Sequence, residues 1–388
     1  MKIFVPITII ITTLTIQLSS GLNYVIFPQV LSEQGYSNTF VGFAMSFEIV
    51  STLILYKKLS EIVKKLGVVK IVIFASLARS LSIYFLAYVN HYALWLSGIF
   101  IYGLMTTLLL VVLSTWLNMV SVGKLKGFII GLYSSALSCG IALGPVVYYS
   151  YKKFASSETE PFWVNALIAL IPILILSFIF NNKPSLESGE KVRFKFIFRH
   201  AKAIMLSAFV GGICFFGLPS FLVLYGTANG LTTDSAGFLL TMFMLGSVSI
   251  GLVVSSLSSF FDKRLIILVC VSISSLCAVF LSLSVYTHLY TALALMFLWG
   301  GCMGGIYATG MSFIGERFRT EDQVSANMSY VLMDSVGGLV GLCIIGGSMD
   351  LIGAEGLSYT VVIFSTTYLL FILSRHKYKS LIPGHWGH

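Results

Sequence analysis

The stretch Tyr92–Leu117, YALWLSGIFIYGLMTTLLLVVLSTWL, carries no charged side chain over its 26 residues. Coiled as an α-helix it is ~39 Å long, which exceeds the ~30 Å hydrocarbon core of a bilayer. A helix that is apolar all round at this length reads as a membrane span. Working outward, further apolar runs lie at about 4–31, 38–56, 69–88, 127–149, 162–180, 204–226, 235–257, 265–286, 289–313, 326–348 and 357–374. With the first they make twelve, and 388 residues allow about 32 for each span and its connection. The run at 4–31 is too long for a signal-peptide core and has no small-residue cleavage site, so it is read as a retained span.

Composition agrees. Hydrophobic residues make up 57% of the chain, the mean hydropathy is +0.93, and charged residues are 10%, against about 25% in soluble domains. That excludes a soluble enzyme, a disordered chain and a disulfide scaffold. The six cysteines (139, 214, 270, 277, 302 and 343) all fall in apolar runs without a C-x-x-C pair, so they read as small buried side chains. The terminal Pro383-Gly-His385-Trp-Gly-His388 is read as incidental, with no metal site. No Gly-Lys-Ser/Thr phosphate loop and no nucleophile–base constellation is visible, so neither ATP drive, a cofactor nor enzymatic chemistry is expected.

The net charge of +9 has a topological cause. If the N-terminus is inside, 21 of the 24 Lys and Arg residues fall in inward loops and tails. Lys152 and Lys153 lie outward and Arg79 lies within a span. Cytoplasmic loops retain basic residues, so both termini are expected in the cytoplasm and no nucleic-acid partner is implied.

The polar stretch Asn181–Lys202 divides the chain into similar halves. Gly35-Tyr-Ser-Asn-Thr-Phe-Val-Gly42-Phe43 resembles Gly230-Leu-Thr-Thr-Asp-Ser-Ala-Gly237-Phe238 at an offset of 195. Gly140-Ile-Ala-Leu-Gly144 answers Gly337-Gly-Leu-Val-Gly341 at 197. Internal duplication with a substrate path between the halves is a common transporter plan. The expected fold is an all-α membrane protein, twelve transmembrane helices in two pseudo-symmetric six-helix bundles. The expected divisions are 1–180, a linker at 181–203, a second bundle at 204–374 and a tail at 375–388.

Span five carries Gly131, Gly140, Gly144 and Pro145, which resembles the glycine-rich fifth-helix motif of antiporters in the major facilitator superfamily. Small residues in register let helices approach closely, and a proline bends the helix. The expectation is a tight surface against the opposite half. The stretch Ser60-Glu-Ile-Val-Lys64-Lys65-Leu-Gly67-Val-Val-Lys70 is similar to that superfamily's cytoplasmic loop motif, with Lys65, Gly67 and Lys70 in place. Lys64 stands where the family has an Asp, and Tyr148-Tyr149 replace the family's trailing Gly-Gly. Ser114-Thr-Trp116-Leu-Asn118 with Gly123-Lys-Leu-Lys126-Gly127 resembles a span-four signature of the YcaD-like branch, with Ser114 in place of its usual Glu. Leu218-Pro219 to Leu224-Tyr225, Gly300-Gly301 with Tyr307, and Asn327 with Gly337 and Gly341 are similar to the same branch.

Three ionisable residues lie deep in spans: Glu48, Arg79 and Asp334. A charge at the bilayer centre costs at least ~2.5–3.5 kcal/mol on insertion scales, so each needs a partner, water or a changed protonation state. Glu48 and Arg79 lie at similar depth, which allows an ion pair between spans two and three. Alternatives are that Glu48 carries a proton or that Arg79 holds an anionic substrate. Asp334 shares a helical stripe with Asn327, Tyr330, Gly338 and Gly341 and is expected to line a cavity; helix packing is the plainer account of that stripe. Gln17, Tyr24, Tyr102, Thr106, Tyr225, Trp299 and Tyr307 are the other candidate cavity residues.

The expectation is a secondary transporter of the plasma or inner membrane, moving a small organic molecule by alternating access. Proton-coupled export by antiport is favoured, with protons and the bilayer as partners and a monomer as the working unit. Proton-coupled uptake of a polar or anionic metabolite is the alternative, and a lipid flippase or a non-transporting sensor ranks lower.

Overall fold

The computed structural model describes residues 4–56, 59–121, 126–154, 157, 159–180, 194–258, 260–285, 288–318 and 320–380. Among these residues there are fourteen helices and no strand: α1 (Phe4–Glu33), α2 (Asn38–Tyr56), α3 (Leu59–Leu86), α4 (Tyr92–Val120), α5 (Lys126–Lys152), α6 (Glu160–Ile168), α7 (Ile171–Ser177), α8 (Phe194–His200), α9 (Lys202–Ala228), α10 (Thr233–Leu257), α11 (Lys263–Ser284), α12 (Leu289–Arg317), α13 (Thr320–Ile352) and α14 (Gly356–Ser380). Twelve stretches are long and apolar enough to cross a bilayer, as the hydropathy pattern predicts.

Two differences from the sequence reading have local causes. The sixth span is broken into α6 and α7. Pro172 sits in the first turn of α7, where it has no N–H to return to the Ile168 carbonyl. The stretch Ser60–Lys70, read as a loop, belongs to α3, which bends at Gly67 (φ 73°, ψ 160°). That conformation suits glycine because it has no Cβ to clash. Lys65 beside the bend is exposed, and the side chain of Lys64 lies outside the described residues, as does the histidine-bearing terminus.

The helices alternate in direction, so the α1–α2, α3–α4, α9–α10 and α13–α14 turns share one face, called here the turn face. Lys65, Lys70, Arg199, Lys202, Lys263, Arg264 and Arg317 gather at the opposite, basic face. The two matched turns are alike in detail. Gly35 and Gly230 each have φ 84°. The amides of Tyr36 and Leu231 reach back to the carbonyls of Leu31 and Gly226 at 3.1 and 3.0 Å, closing the same helix C-cap in each half.

Packing repeats too. Gly140 and Gly144 of α5 fit against Gln17, Leu14 and Gly21 of α1, while Gly337 and Gly341 of α13 fit against Phe209 and Ile213 of α9. This corrects one expectation: the span-five glycines make a close approach, but to α1 of their own half. Pro145 cannot donate to the Ile141 carbonyl, and that carbonyl lies against the Gly21 Cα instead. Gly131, further toward the basic face, has nothing within 4 Å of where a Cβ would stand.

The halves meet through α2 with α13 and α5 with α10, supported by α1 with α9. The apolar core mirrors this. One continuous cluster joins Val25, Phe27, Val41 and Ile49 of the first half to Phe221, Phe243, Leu342 and Ile345 of the second. Toward the basic face the first half keeps a separate core around Ile9, Ile16, Leu55, Val72, Leu109 and Trp116. Among the described residues, the apolar core is therefore continuous between the halves toward the turn face and separate toward the basic one.

Candidate functional site

Arg79 of α3 is fully buried. Its Nη2 donates to the Ile16 carbonyl (2.9 Å), the Ser20 Oγ (3.1 Å) and the Tyr102 hydroxyl (3.4 Å). The guanidinium carbon stands 5.0 Å from the Tyr102 ring centroid, within cation–π range. Tyr102 in turn donates to Ser20 Oγ at 2.9 Å. The arginine's Nε and Nη1 are buried without a hydrogen-bond partner among the described residues.

The expected Glu48–Arg79 ion pair is not closed. The reason is the helix order: α4 packs on both α2 and α3, so it stands between the two residues' helices. Arg79 turns to α1 and α4 instead. Gly103 of α4 lies against the Glu48 backbone, whose carbonyl accepts from Ser51 (2.6 Å) and Thr52 (3.2 Å). The Glu48 carboxylate is half-buried, within electrostatic reach of Arg79 and Tyr24, and accepts no hydrogen bond among the described residues.

In the second half, Asp334 is 8% exposed near the middle of α13. Its carbonyl lies against Gly212 of α9, and its Oδ1 is 3.8 Å from where a Gly211 Cβ would stand. Tyr307 and Tyr330 are its polar neighbours, with rings 5.7 Å apart. Tyr330 is fully buried, donates to the Ile306 carbonyl at 3.4 Å and fills the space beside Gly310. Tyr307 is 43% exposed. No described residue donates a hydrogen bond to the Asp334 carboxylate. The glycine part of its stripe is packing surface, since Gly338 touches Phe216 and, across the halves, Ile49.

The remaining candidates divide. Gln17 and Tyr24 are buried at the α1 surface beside α5 and the Glu48 cluster, and Thr106 is tied to the Tyr102 carbonyl at 2.8 Å. Asn327 is half-buried, and its Oδ1 has no hydrogen-bond partner among the described residues. Tyr225 and Trp299 do not line a path: both are fully buried in the second half's core, where Gly300 brings α12 against the Phe243 backbone of α10. Aromatic residues serve packing as well as recognition, and sequence does not separate the two.

One element was not anticipated. Asp350, in the last turn of α13, accepts from the backbone amides of Asn38 (2.8 Å) and Thr39 (2.7 Å) and from the Thr39 hydroxyl (2.5 Å) at the start of α2. A carboxylate near a span end, and a Ser-Asn-Thr run at the start of another, were the available signals. Nothing in either one announces the partner.

The family model described as Major Facilitator Superfamily matches residues 9–342 and, again, 204–383. YfkF of Bacillus subtilis (strain 168), an uncharacterized MFS-type transporter, is 23% identical over 271 residues, which is 68% of this chain and 68% of its own. The crystal structure of the nucleoside transporter NupG superposes with a TM-score of 0.77 at 12% identity, covering 95% of this chain and 98% of that one. A bacterial homologue of the human lysosomal transporter Spinster, inward-facing and occupied, gives 0.74 at 12% identity over 96% of each chain. At such identities the solved structures speak for the fold. The chain is an integral multi-pass membrane protein and belongs to the major facilitator superfamily, a family of secondary transporters.

Proposed function

We propose that this transporter exports a small organic molecule in exchange for protons, by rocking of residues 1–180 against 204–374 about the α2–α13 and α5–α10 surfaces. One observation carries the reading. Each half holds one carboxylate in mid-membrane, Glu48 and Asp334, with no hydrogen-bond donor among the described residues. Leaving a carboxylate permanently charged there is costly, and a proton removes that cost. Asp334 also stands one helical turn from Gly338, which touches Ile49 of α2. The basic face is the cytoplasmic one in this reading, with both termini there, 181–203 as the linker and 375–388 as the tail. The working unit is a monomer in the plasma or inner membrane. The span-four motif supports a position in the YcaD-like branch, and the span-five motif supports export.

A second reading, proton-coupled uptake of an anionic metabolite, is favoured by two nitrogens of Arg79, Nε and Nη1, that have no hydrogen-bond partner among the described residues. Proteoliposomes loaded with a pH-sensitive dye and given pooled drugs and metabolites separate the two. Antiport moves protons opposite to the cargo, and symport moves them with it. Glu48→Gln or Asp334→Asn abolishes cargo-evoked proton movement when it removes the coupling carboxylate. Cargo movement without any pH change in the wild type defeats the proton-coupled reading.

A further inference from the structure

The first turn of an α-helix leaves backbone N–H groups without intrahelical partners, and a side chain just before the helix ordinarily accepts from them. The two matched helices solve this differently. At α10, Thr232 caps its own helix, its Oγ1 accepting from the Ser235 amide at 3.3 Å. At α2, the equivalent service comes from the other half of the molecule. Asp350 of α13 takes the Asn38 and Thr39 amides on its two oxygens and the Thr39 hydroxyl as well. Ser37, in position to cap α2, stands beside the same carboxylate. The negative charge also lies at the positive end of the α2 dipole.

This contact terminates a seam. On α13, residues 338, 342, 346 and 350 recur at four-residue spacing, which puts them on one helical face. Gly338 meets Ile49, Leu342 meets Gly42, Gly346 meets the Asn38 backbone, and Asp350 takes the amides. The bonds exist only while the turn face is shut, because separation of the halves carries the acceptor away from its donors.

We infer that Asp350 is the latch that holds the turn face closed, so that it sets the balance between the two access states. The inference rests on the rocking-transporter reading above, but it assigns a residue that the coupling chemistry does not use. Charge-assisted bonds are the strong members of their class, and here three are broken in a single opening step.

The chain contains its own reporter. Cys343 of α13 is half-buried, with Ser46 of α2 and Tyr92 of α4 as neighbours across the seam. Cys214, Cys270, Cys277 and Cys302 are buried within the second half. Labelling of the purified full-length protein with N-ethylmaleimide, read peptide by peptide by mass spectrometry, therefore follows seam opening. Asp350→Ala is expected to label Cys343 about tenfold faster, the shift that ~1.4 kcal/mol produces, with the four buried cysteines still protected. Thr39→Val, which removes one bond, is expected to give a smaller rise, and Asp350→Glu to recover part of the wild-type protection. Fast labelling of all cysteines in Asp350→Ala, without a selective rise in Thr39→Val, makes Asp350 a folding residue and overturns the latch. If cargo or pH alters Cys343 labelling in the wild type while the Asp350 and Thr39 variants match it, the latch is wrong and the rocking reading stands. If nothing moves Cys343 labelling, both fail.

Discussion

Gly42 of α2 lies with its Cα directly against the Leu342 carbonyl of α13, backbone on backbone with no side chain between. Two helices of opposite halves can meet this closely only where one of them has no Cβ. The contact holds the middle of the seam between Ile49–Gly338 on one side and Asn38–Gly346 on the other. A substitution here acts on the closed turn face and leaves both carboxylates in place.

Gly42→Ala is expected to disfavour the closed state, because its Cβ meets backbone that cannot rotate away. Overpacking of this kind costs about 1–3 kcal/mol. Transport should slow, and maleimide labelling of Cys343 should rise without exposing Cys214. Unchanged labelling together with unchanged transport would mean that the seam accommodates a methyl group, and Gly42 would then be dispensable for close approach.

The span-five glycines give a sharper test, since two members of one motif face opposite surroundings. Gly131 meets nothing within 4 Å, whereas Gly144 is held against Gly21 and Leu22. Gly131→Ala should be neutral or stabilising, by up to about 1 kcal/mol from helix propensity. Gly144→Ala should destabilise by about 1–3 kcal/mol, because two backbones would have to part. Thermal unfolding of the two variants in the same detergent decides it. Equal midpoints would show that the α1–α5 contact is looser than the geometry implies.

How much of this was legible beforehand follows from range. The twelve spans were readable because a bilayer imposes its length and polarity on each segment separately. The duplicated turn was readable because Gly35 and Gly230 answer a local need, a positive φ closing a helix. The break at Pro172 was local as well and available in principle, but an unbroken apolar run concealed it. Whether Glu48 and Arg79 close an ion pair was not legible, because equal depth says nothing of which helix stands between. Tyr225 and Trp299 looked like cavity residues because an aromatic side chain reads alike in a core and on a wall. Asp350 stayed hidden for the same reason as the ion pair, since its partners lie about three hundred residues away in sequence.

The second seam allows a test of whether the halves move as bodies. Thr241 of α10 donates to the Ala142 carbonyl of α5 at 3.0 Å, and Gly237 on the same helix receives the Tyr149 ring. Thr241→Val keeps the shape of the side chain and removes the bond. Losing one hydrogen bond costs about 1 kcal/mol, so the open population should rise about fivefold. Thr241 and Asp350 lie on different helices of the second half and bond to different helices of the first. Distant substitutions add when they act independently. If both bonds break in the same rocking step, the Thr241→Val and Asp350→Ala effects on Cys343 labelling should multiply in the double variant. If α5–α10 opens without α2–α13, Thr241→Val should leave Cys343 labelling at the wild-type rate, and the rigid-body description of the cycle would have to be given up.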